Sequence, residues 1–240
     1  MGSTYLNITN AVIRRFSDVE LTSVNFAAAT TYHAYVKDVV NDVIREIQQT
    51  ERQWPFNHQT KTQTLTVDEQ EYPWPTIADG DDGDAEAIDW DTFFLVRDDT
   101  LSISQKKLEN IDYDEYLERH KSRAENMIIT GTNLRVPKLI YRAQNNNWGV
   151  DIKPDREYQV SYEYWGYPSE LTAFNNTTTI PSRFDWIIKH GCYSELYGQR
   201  GDPDMKDRYA NSYRKGLDNM VELLINKPSE FRDGRVGIAG

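Results

Sequence analysis

The chain has 240 residues, 38% of them hydrophobic and 12% aromatic, which is enough apolar surface for one large domain or two modest ones and excludes a disordered chain. Its net charge of −11 argues against wrapping nucleic acid, which requires clustered Lys and Arg. The single cysteine, Cys192, excludes an intrachain disulfide and fits folding in a reducing cytoplasm.

The N-terminal part of the chain predicts two helices. Residues 1–5 lack a basic region followed by an apolar run, so we expect no signal peptide. Apolar side chains recur at helical spacing over residues 5–16 and again, more strongly, from about residue 26 to residue 52. Trp54-Pro55 ends the second pattern, because a residue before proline is pushed out of the helical region. The predicted core positions of the long helix include Val36, Val40, Val43 and Ile47.

The middle of the chain changes to the period of a β-strand. Alternating apolar side chains predict strands at residues 63–67, 92–96, 134–142, 148–152 and 157–165. Asn145-Asn146-Asn147 predicts a hairpin turn, and residues 107–119 predict a short helix packed on the sheet. No stretch of the chain approaches about 18 uninterrupted apolar residues, so we expect no membrane span.

Helical spacing returns after Pro181. Ser182 and Asp185 form a capping-box-like start for a third helix. Asp202-Pro203 starts a fourth helix, with proline at its favoured first position. Residues 229–240 are rich in glycine and poor in apolar bulk, so we expect them to be loose in an isolated subunit.

These elements predict an α+β fold in which a helical bundle, built from N- and C-terminal helices, carries an inserted antiparallel β-sandwich or barrel. The predicted helical bundle domain comprises residues 1–56 and 167–227. Residues 57–166 form the predicted β-rich domain, and residues 228–240 form an extended C-terminal tail.

The negative charge is concentrated in one segment. Between Asp68 and Asp99, twelve acidic residues stand against one basic residue, Arg97, so this segment alone carries the net charge of −11. Its centre is a predicted acidic loop whose carboxylates are Asp79, Asp81, Asp82 and Asp84. Such spacing suits Ca²⁺, but the EF-hand pattern fails because its sixth position is Asp84 where that loop requires glycine. A solvated loop is the simpler interpretation.

Nothing in the sequence indicates catalysis or a cofactor. The four histidines, His33, His58, His120 and His190, lie in unrelated settings, and no G-x-S-x-G elbow occurs. Cys and His residues are too few and too dispersed for zinc. A hydrolase that uses paired carboxylates is an alternative, although no pair stands out. We therefore predict no catalytic residue, no metal site and no cofactor.

Several fragments, in order along the chain, resemble one protein family. The long helix runs into Arg52-Gln53-Trp54-Pro55-Phe56-Asn57, and residues 152–160 combine a proline–aspartate turn with a tyrosine-bearing strand. Ile180-Pro181-Ser182-Arg183-Phe184 then precedes the third helix. In these features the chain resembles the head-to-tail adaptor (connector) proteins of short-tailed phages, the tail tubular protein A group. The segment 79–91 has no counterpart in that pattern.

The resemblance implies a structural virion neck protein that is not an enzyme. It implies a homo-oligomeric ring of about twelve copies that joins the portal of the phage capsid to a tail nozzle or fibre-bearing protein. DNA would pass through the ring without sequence-specific binding, during packaging and ejection. The same resemblance implies assembly in the host bacterial cytoplasm and a location in the neck or tail of the virion.

Two segments are candidate sites under this hypothesis. The C-terminal tail is predicted to be ordered by the portal, with a frayed terminus as the alternative. Its candidate portal-binding residues are Phe231, Arg232, Arg235, Val236 and Ile238. The acidic loop is predicted to face either the DNA channel, where carboxylates repel phosphates over a Debye length of about 8 Å, or solvent. The alternative function is a tail- or fibre-associated carbohydrate- or receptor-binding module, because a β-rich middle with exposed aromatics also suits sugars.

Overall fold

The computed structural model describes residues 2–51, 53–80, 83–97, 104–118 and 136–225. Its fold is α+β, as predicted, and consists of two compact units. The helical unit comprises Met1–Phe56 and Glu170–Gly240, and the β unit comprises Asn57–Ser169. Whether each unit folds as an independent domain with the predicted boundaries stays a prediction.

In the described part of the helical unit, four helices pack around one apolar core. They are α1 (Tyr5–Arg15), α2 (Thr31–Thr50), α4 (Asp185–Gln199) and α5 (Pro203–Leu224); α3 (Tyr113–Tyr116) lies in the β unit. The predicted stripe of the long helix is confirmed as core, since Val36, Val40 and Ile47 are fully buried and Val43 is 6% exposed. Burial of such aliphatic side chains contributes about 1.5–3 kcal/mol each.

A side-chain cap was predicted at the start of two of these helices, and the structure has it at one of them. Asp202 accepts a hydrogen bond from the Met205 amide at 3.1 Å, and Pro203 follows it, so the predicted start of α5 is confirmed. The predicted capping box at Ser182 is wrong. Ser182–Phe184 form a short 3-10 helix, α4 begins at Asp185, and the Asp185 carboxylate accepts a hydrogen bond from the Ser3 hydroxyl instead.

Two glycines let α4 and α5 pack closely. A Cβ atom on Gly191 would lie 2.7 Å from a methyl carbon of Val43 and 3.2 Å from the Tyr213 ring. On Gly216, a Cβ would lie 2.7 Å from the Trp186 ring. Because cores are close-packed, side chains at these positions would push the helices apart. The glycines therefore determine the position of α4, and with it the position of the side chains on its exposed face.

Among the described residues of the β unit, eight strands form two four-stranded sheets, ordered β1-β8-β3-β4 and β2-β7-β6-β5. The strands are β1 (His58–Leu65), β2 (Glu71–Pro73), β3 (Asp84–Leu95), β4 (Lys106–Lys107), β5 (Glu109–Ile111), β6 (Leu139–Arg142), β7 (Asn147–Val150) and β8 (Tyr158–Tyr167). Side chains of both sheets share one buried core, which includes Leu65, Trp148 and Tyr162. The pairing is antiparallel except between β5 and β6, which run parallel. A parallel pair needs a crossover connection, and the chain leaves β5 through α3.

The predicted strand and turn near the end of the β unit are confirmed. Tyr158, Val160, Tyr162 and Tyr164 alternate along β8 and are each at most 2% exposed. Positive φ values of 57° at Asn145 and 56° at Asn146 form the tight turn between β6 and β7. Asparagine tolerates this left-handed region better than most residues, which is why the sequence signal was specific.

The predicted helix over residues 107–119 is wrong in its first half. Lys106–Lys107 and Glu109–Ile111 are strands, whereas Tyr113–Tyr116 are α-helical and residues 117–118 continue as a π-helical turn up to the end of this described range. Leu108 between the strands is fully buried in the core of the β unit, and Glu109 pairs with Leu139. Pairing to a neighbouring strand thus overrides the local helical spacing.

Candidate interaction surface

Helix α4 carries a second stripe besides its buried one. Trp186, His190, Tyr193 and Tyr197 follow one another at intervals of four, three and four residues, so they share one helical face. None of the four is buried, and Trp186 is 37% exposed. Aromatic side chains that remain partly open to solvent suit contacts with another protein.

The rings of this face connect three helices. Tyr197 stacks on Tyr209 of α5 with ring centroids 5.6 Å apart, and Tyr193 meets Tyr209 at 5.1 Å. Phe16, which follows α1, lies 4.9 Å from Tyr197. Each such pair contributes about 0.5–1.5 kcal/mol beyond its buried area, so the rings form a fixed platform.

Two arginines lie on this platform. Arg15 donates a hydrogen bond to the Tyr209 hydroxyl at 2.8 Å, and its guanidinium lies 5.8 Å from the Tyr209 ring centre. The guanidinium of Arg200 lies 4.4 Å from the ring centre of Phe16 and 5.6 Å from that of Tyr32. Ring faces attract cations and restrict their motion. We call Arg15, Phe16, Tyr32, Tyr197, Arg200 and Tyr209 the arginine–tyrosine surface.

The loop between α1 and α2, residues 16–30, is fastened beside this surface. The buried Asn10 side chain donates to the Leu21 carbonyl and accepts from the Leu21 amide, both at 2.8 Å. Leu21 points inward at 6% exposure, whereas Val19 and Val24 are 75% and 89% exposed. The loop therefore presents two apolar side chains on a backbone that is held in place.

His190 lies half-buried among the rings of α4 and α5. Its Nδ1 atom lies 2.9 Å from the Ser212 hydroxyl, and its ring centre lies 5.2 Å from that of Tyr209. Burial lowers the pKa of His190, and the neighbouring Lys189 lowers it further. The folded helical unit therefore favours the neutral imidazole.

We expect acid to destabilise the helical unit partly through His190. The folded pKa lies below the ordinary 6.5, so the unfolded chain binds more protons, and stability falls as pH drops through 6.5 toward the folded pKa. His190→Gln should reduce this fall between pH 8 and pH 5.5. Urea unfolding followed by far-ultraviolet circular dichroism measures this fall in stability. His58→Gln, in the β unit, is the matched control. If the stability of His190→Gln falls with pH as steeply as that of the wild type, the pH dependence does not come from His190.

The predicted site residues are only partly within the described residues. The tail residues Phe231, Arg232, Arg235, Val236 and Ile238 lie outside them, as do Asp81 and Asp82. Asp79 ends a short 3-10 helix, Ile77–Asp79. Asp84 is the first residue of β3, and its Oδ1 atom accepts a hydrogen bond from the Ile77 amide at 2.9 Å. The described ends of the acidic loop are thus tied to regular structure, and β3 contains the acidic residues from Asp84 to Asp91.

Within the described ranges the structure indicates neither a metal site nor a membrane span. No group of three or more His, Cys, Asp or Glu side chains there could hold a metal ion. None of the helices in those ranges is long and apolar enough to cross a bilayer.

Sequence reasoning missed the arginine–tyrosine surface. Part of its signal was present, because the aromatic residues of α4 recur at helical spacing beside the buried stripe. Arg15, Tyr32 and Tyr209 come from other helices, and only the packing of those helices brings them to the same place.

Partly exposed aromatic rings that hold guanidinium groups are typical of surfaces that contact other proteins. The SU10 adaptor protein family matches residues 3–235, and the chain belongs to this family. No curated protein matches the chain. Membership confirms the predicted relation to phage head-to-tail adaptors, makes the chain a viral structural adaptor and implies a non-enzymatic role. Its place in the tail tubular protein A group stays a prediction.

Proposed function

We propose that the chain forms a ring in the virion neck and joins the portal to a tail nozzle or fibre-bearing protein. The ring has about twelve copies, matching the portal, and assembles in the bacterial cytoplasm. Its channel lets DNA pass without sequence-specific binding. The family match over residues 3–235 is the observation that carries this proposal.

The described surface supports ring formation. A closed ring of identical subunits uses two different patches on each subunit, so the chain needs more contact surface than a monomer does. Tyr and Arg are enriched at protein interfaces and contribute much of the binding energy there. The arginine–tyrosine surface, together with the exposed Val19 and Val24, supplies such a patch on the helical unit.

Two finer assignments belong to the same proposal. The tail residues Phe231, Arg232, Arg235, Val236 and Ile238 become ordered on the portal, exchanging conformational entropy for specific contacts. The acidic loop of Asp79, Asp81, Asp82 and Asp84 faces either the channel or solvent. In the channel its carboxylates keep DNA from adhering, because like charges repel within about 8 Å at physiological salt.

Negative-stain electron microscopy of the purified chain, alone and mixed with its portal, tests the proposal. We expect rings with a central hole on the portal, and a truncation that removes residues 229–240 should stay folded but no longer dock. A chain that remains monomeric beside intact portals would contradict ring formation. Sugar binding by that monomer would instead support a carbohydrate-binding module, and full docking by the truncated chain would refute the role of the tail.

A further inference from the structure

Among the residues that the structure describes, Arg15 and Arg200 contact aromatic rings and no carboxylates. In the described part of the chain, no acidic group lies within ion-pair distance of either guanidinium. The two acidic residues of the loop between α1 and α2 already have other contacts: Glu20 pairs with Arg14 at 3.2 Å, and Asp18 lies 3.8 Å from His33. Two oriented cations therefore stand on a partly exposed aromatic platform.

The chemistry of these two side chains selects carboxylates as ligands. A guanidinium presents planar N–H donors that match a carboxylate in a two-point contact, and stacking on a ring reduces the entropy lost on binding. Arg15 donates a hydrogen bond to the Tyr209 hydroxyl, and Arg200 donates one to the Tyr32 hydroxyl. Further N–H donors of both groups remain for a partner.

A group of carboxylates, whose charge is opposite to that of the two arginines, lies in β3. The pairing of β3 with β8 passes from Asp89 opposite Glu163 directly to Phe94 opposite Ser161, so the chain between Asp89 and Phe94 bulges from the ladder. We call residues 89–93 the acidic bulge. Bulges of this kind redirect side chains away from the regular sheet surface.

Contacts within the β unit hold the acidic bulge in shape. The Thr92 hydroxyl donates to the Asp89 carbonyl at 2.7 Å and accepts from the Glu163 amide at 2.9 Å. Trp90 stacks on Phe93, with ring centroids 5.7 Å apart and planes 7° apart. The Asp91 side chain is 91% exposed and lies 3.7 Å from the half-exposed Lys107. The bulge thus presents carboxylates on a fixed backbone.

Charge complementarity identifies the partner. The bulge belongs to the segment from Asp68 to Asp99, which carries the whole net charge of the chain, whereas the arginine–tyrosine surface offers two oriented cations. We propose that the arginine–tyrosine surface of one copy binds the acidic bulge of the next copy. This inference rests on the proposed ring, in which each copy contributes two different patches and both are then used.

A charge-swap experiment with the full chain and its portal tests the pairing. The first variant is Arg15→Glu with Arg200→Glu, and the second is Asp89→Lys with Asp91→Lys. Each variant alone places like charges at every contact, so the fraction of chain in portal-bound rings should fall at least about tenfold. An equal mixture of both should restore assembly to within about twofold of the wild type, because each altered surface then meets its opposite.

The matched control is Arg214→Glu with Lys215→Glu, which makes the same charge change at exposed positions of α5 and should assemble normally. Circular dichroism verifies that each variant is folded; if Asp89→Lys impairs folding, Asp91→Lys alone takes its place, since that side chain is the more exposed. Rings from either variant alone, or no assembly from the mixture of folded variants, would overturn the pairing. Rings that form but no longer bind the portal would assign the surface to the portal and also overturn it. Absence of wild-type rings would overturn the proposed function itself.

Discussion

Trp148→Ala should destabilise the β unit by about 3–5 kcal/mol, the usual cost of removing a fully buried tryptophan. Trp148 is fully buried on β7, and its ring lies 5.1 Å from that of Tyr72, 5.1 Å from that of Phe93 and 5.5 Å from that of Tyr162. Tyr72 shares its sheet, whereas Phe93 and Tyr162 belong to the other. The substitution therefore leaves a cavity between the two sheets.

Urea unfolding of the full chain, followed by hydrogen exchange of amides in β7 and β8, measures this loss. Ile77→Ala is the control in the same unit, because its side chain is 40% exposed and should cost little. A loss below about 1 kcal/mol in Trp148→Ala would show that the sheets do not depend on this ring for their packing.

Asn10→Ala should destabilise the helical unit by about 2–4 kcal/mol. The substitution removes two hydrogen bonds and leaves the amide and carbonyl of Leu21 without their partner in a buried place. Each stranded buried group costs about 1–3 kcal/mol. The loop of residues 16–30 should loosen first, since this side chain fastens its middle.

Hydrogen exchange at the Leu21 amide, together with thermal unfolding, tests this expectation. Asn7→Ala is the matched control because Asn7 lies on the same helix with an exposed side chain. Equal protection of the Leu21 amide in both variants would mean that the loop is held by its apolar contacts alone.

The fold could be predicted where the decisive interactions are local or periodic. The stripe of α2 repeats over many turns, Asp202-Pro203 marks a helix start, and Asn145-Asn146 tolerate the φ values of a tight turn. Each of these signals lies within a few residues of the structure that it specifies. All three predictions are confirmed.

The predictions fail where contacts between residues far apart in the sequence determine the structure. Residues 107–119 have helical spacing, but Glu109 finds a strand partner at Leu139, thirty positions along the chain. Asp84 was expected in the acidic loop, yet its pairing with Tyr167 of β8 makes it the first residue of β3. The arginine–tyrosine surface combines residues of α1, α2, α4 and α5, and Arg15 reaches Tyr209 only when those helices have packed. The composition and residue spacing of one segment contain no signal for such contacts between distant segments.

The burial of Cys192 has a practical consequence. It is the only thiol of the chain, it is fully buried in the core of the helical unit, and burial raises its pKa far above the ordinary value. An alkylating reagent can therefore reach it only after that core has opened. Native subunits should stay unlabelled while opened ones acquire one tag, so mass spectrometry can count opening events of this unit within assembled particles, without any engineered probe.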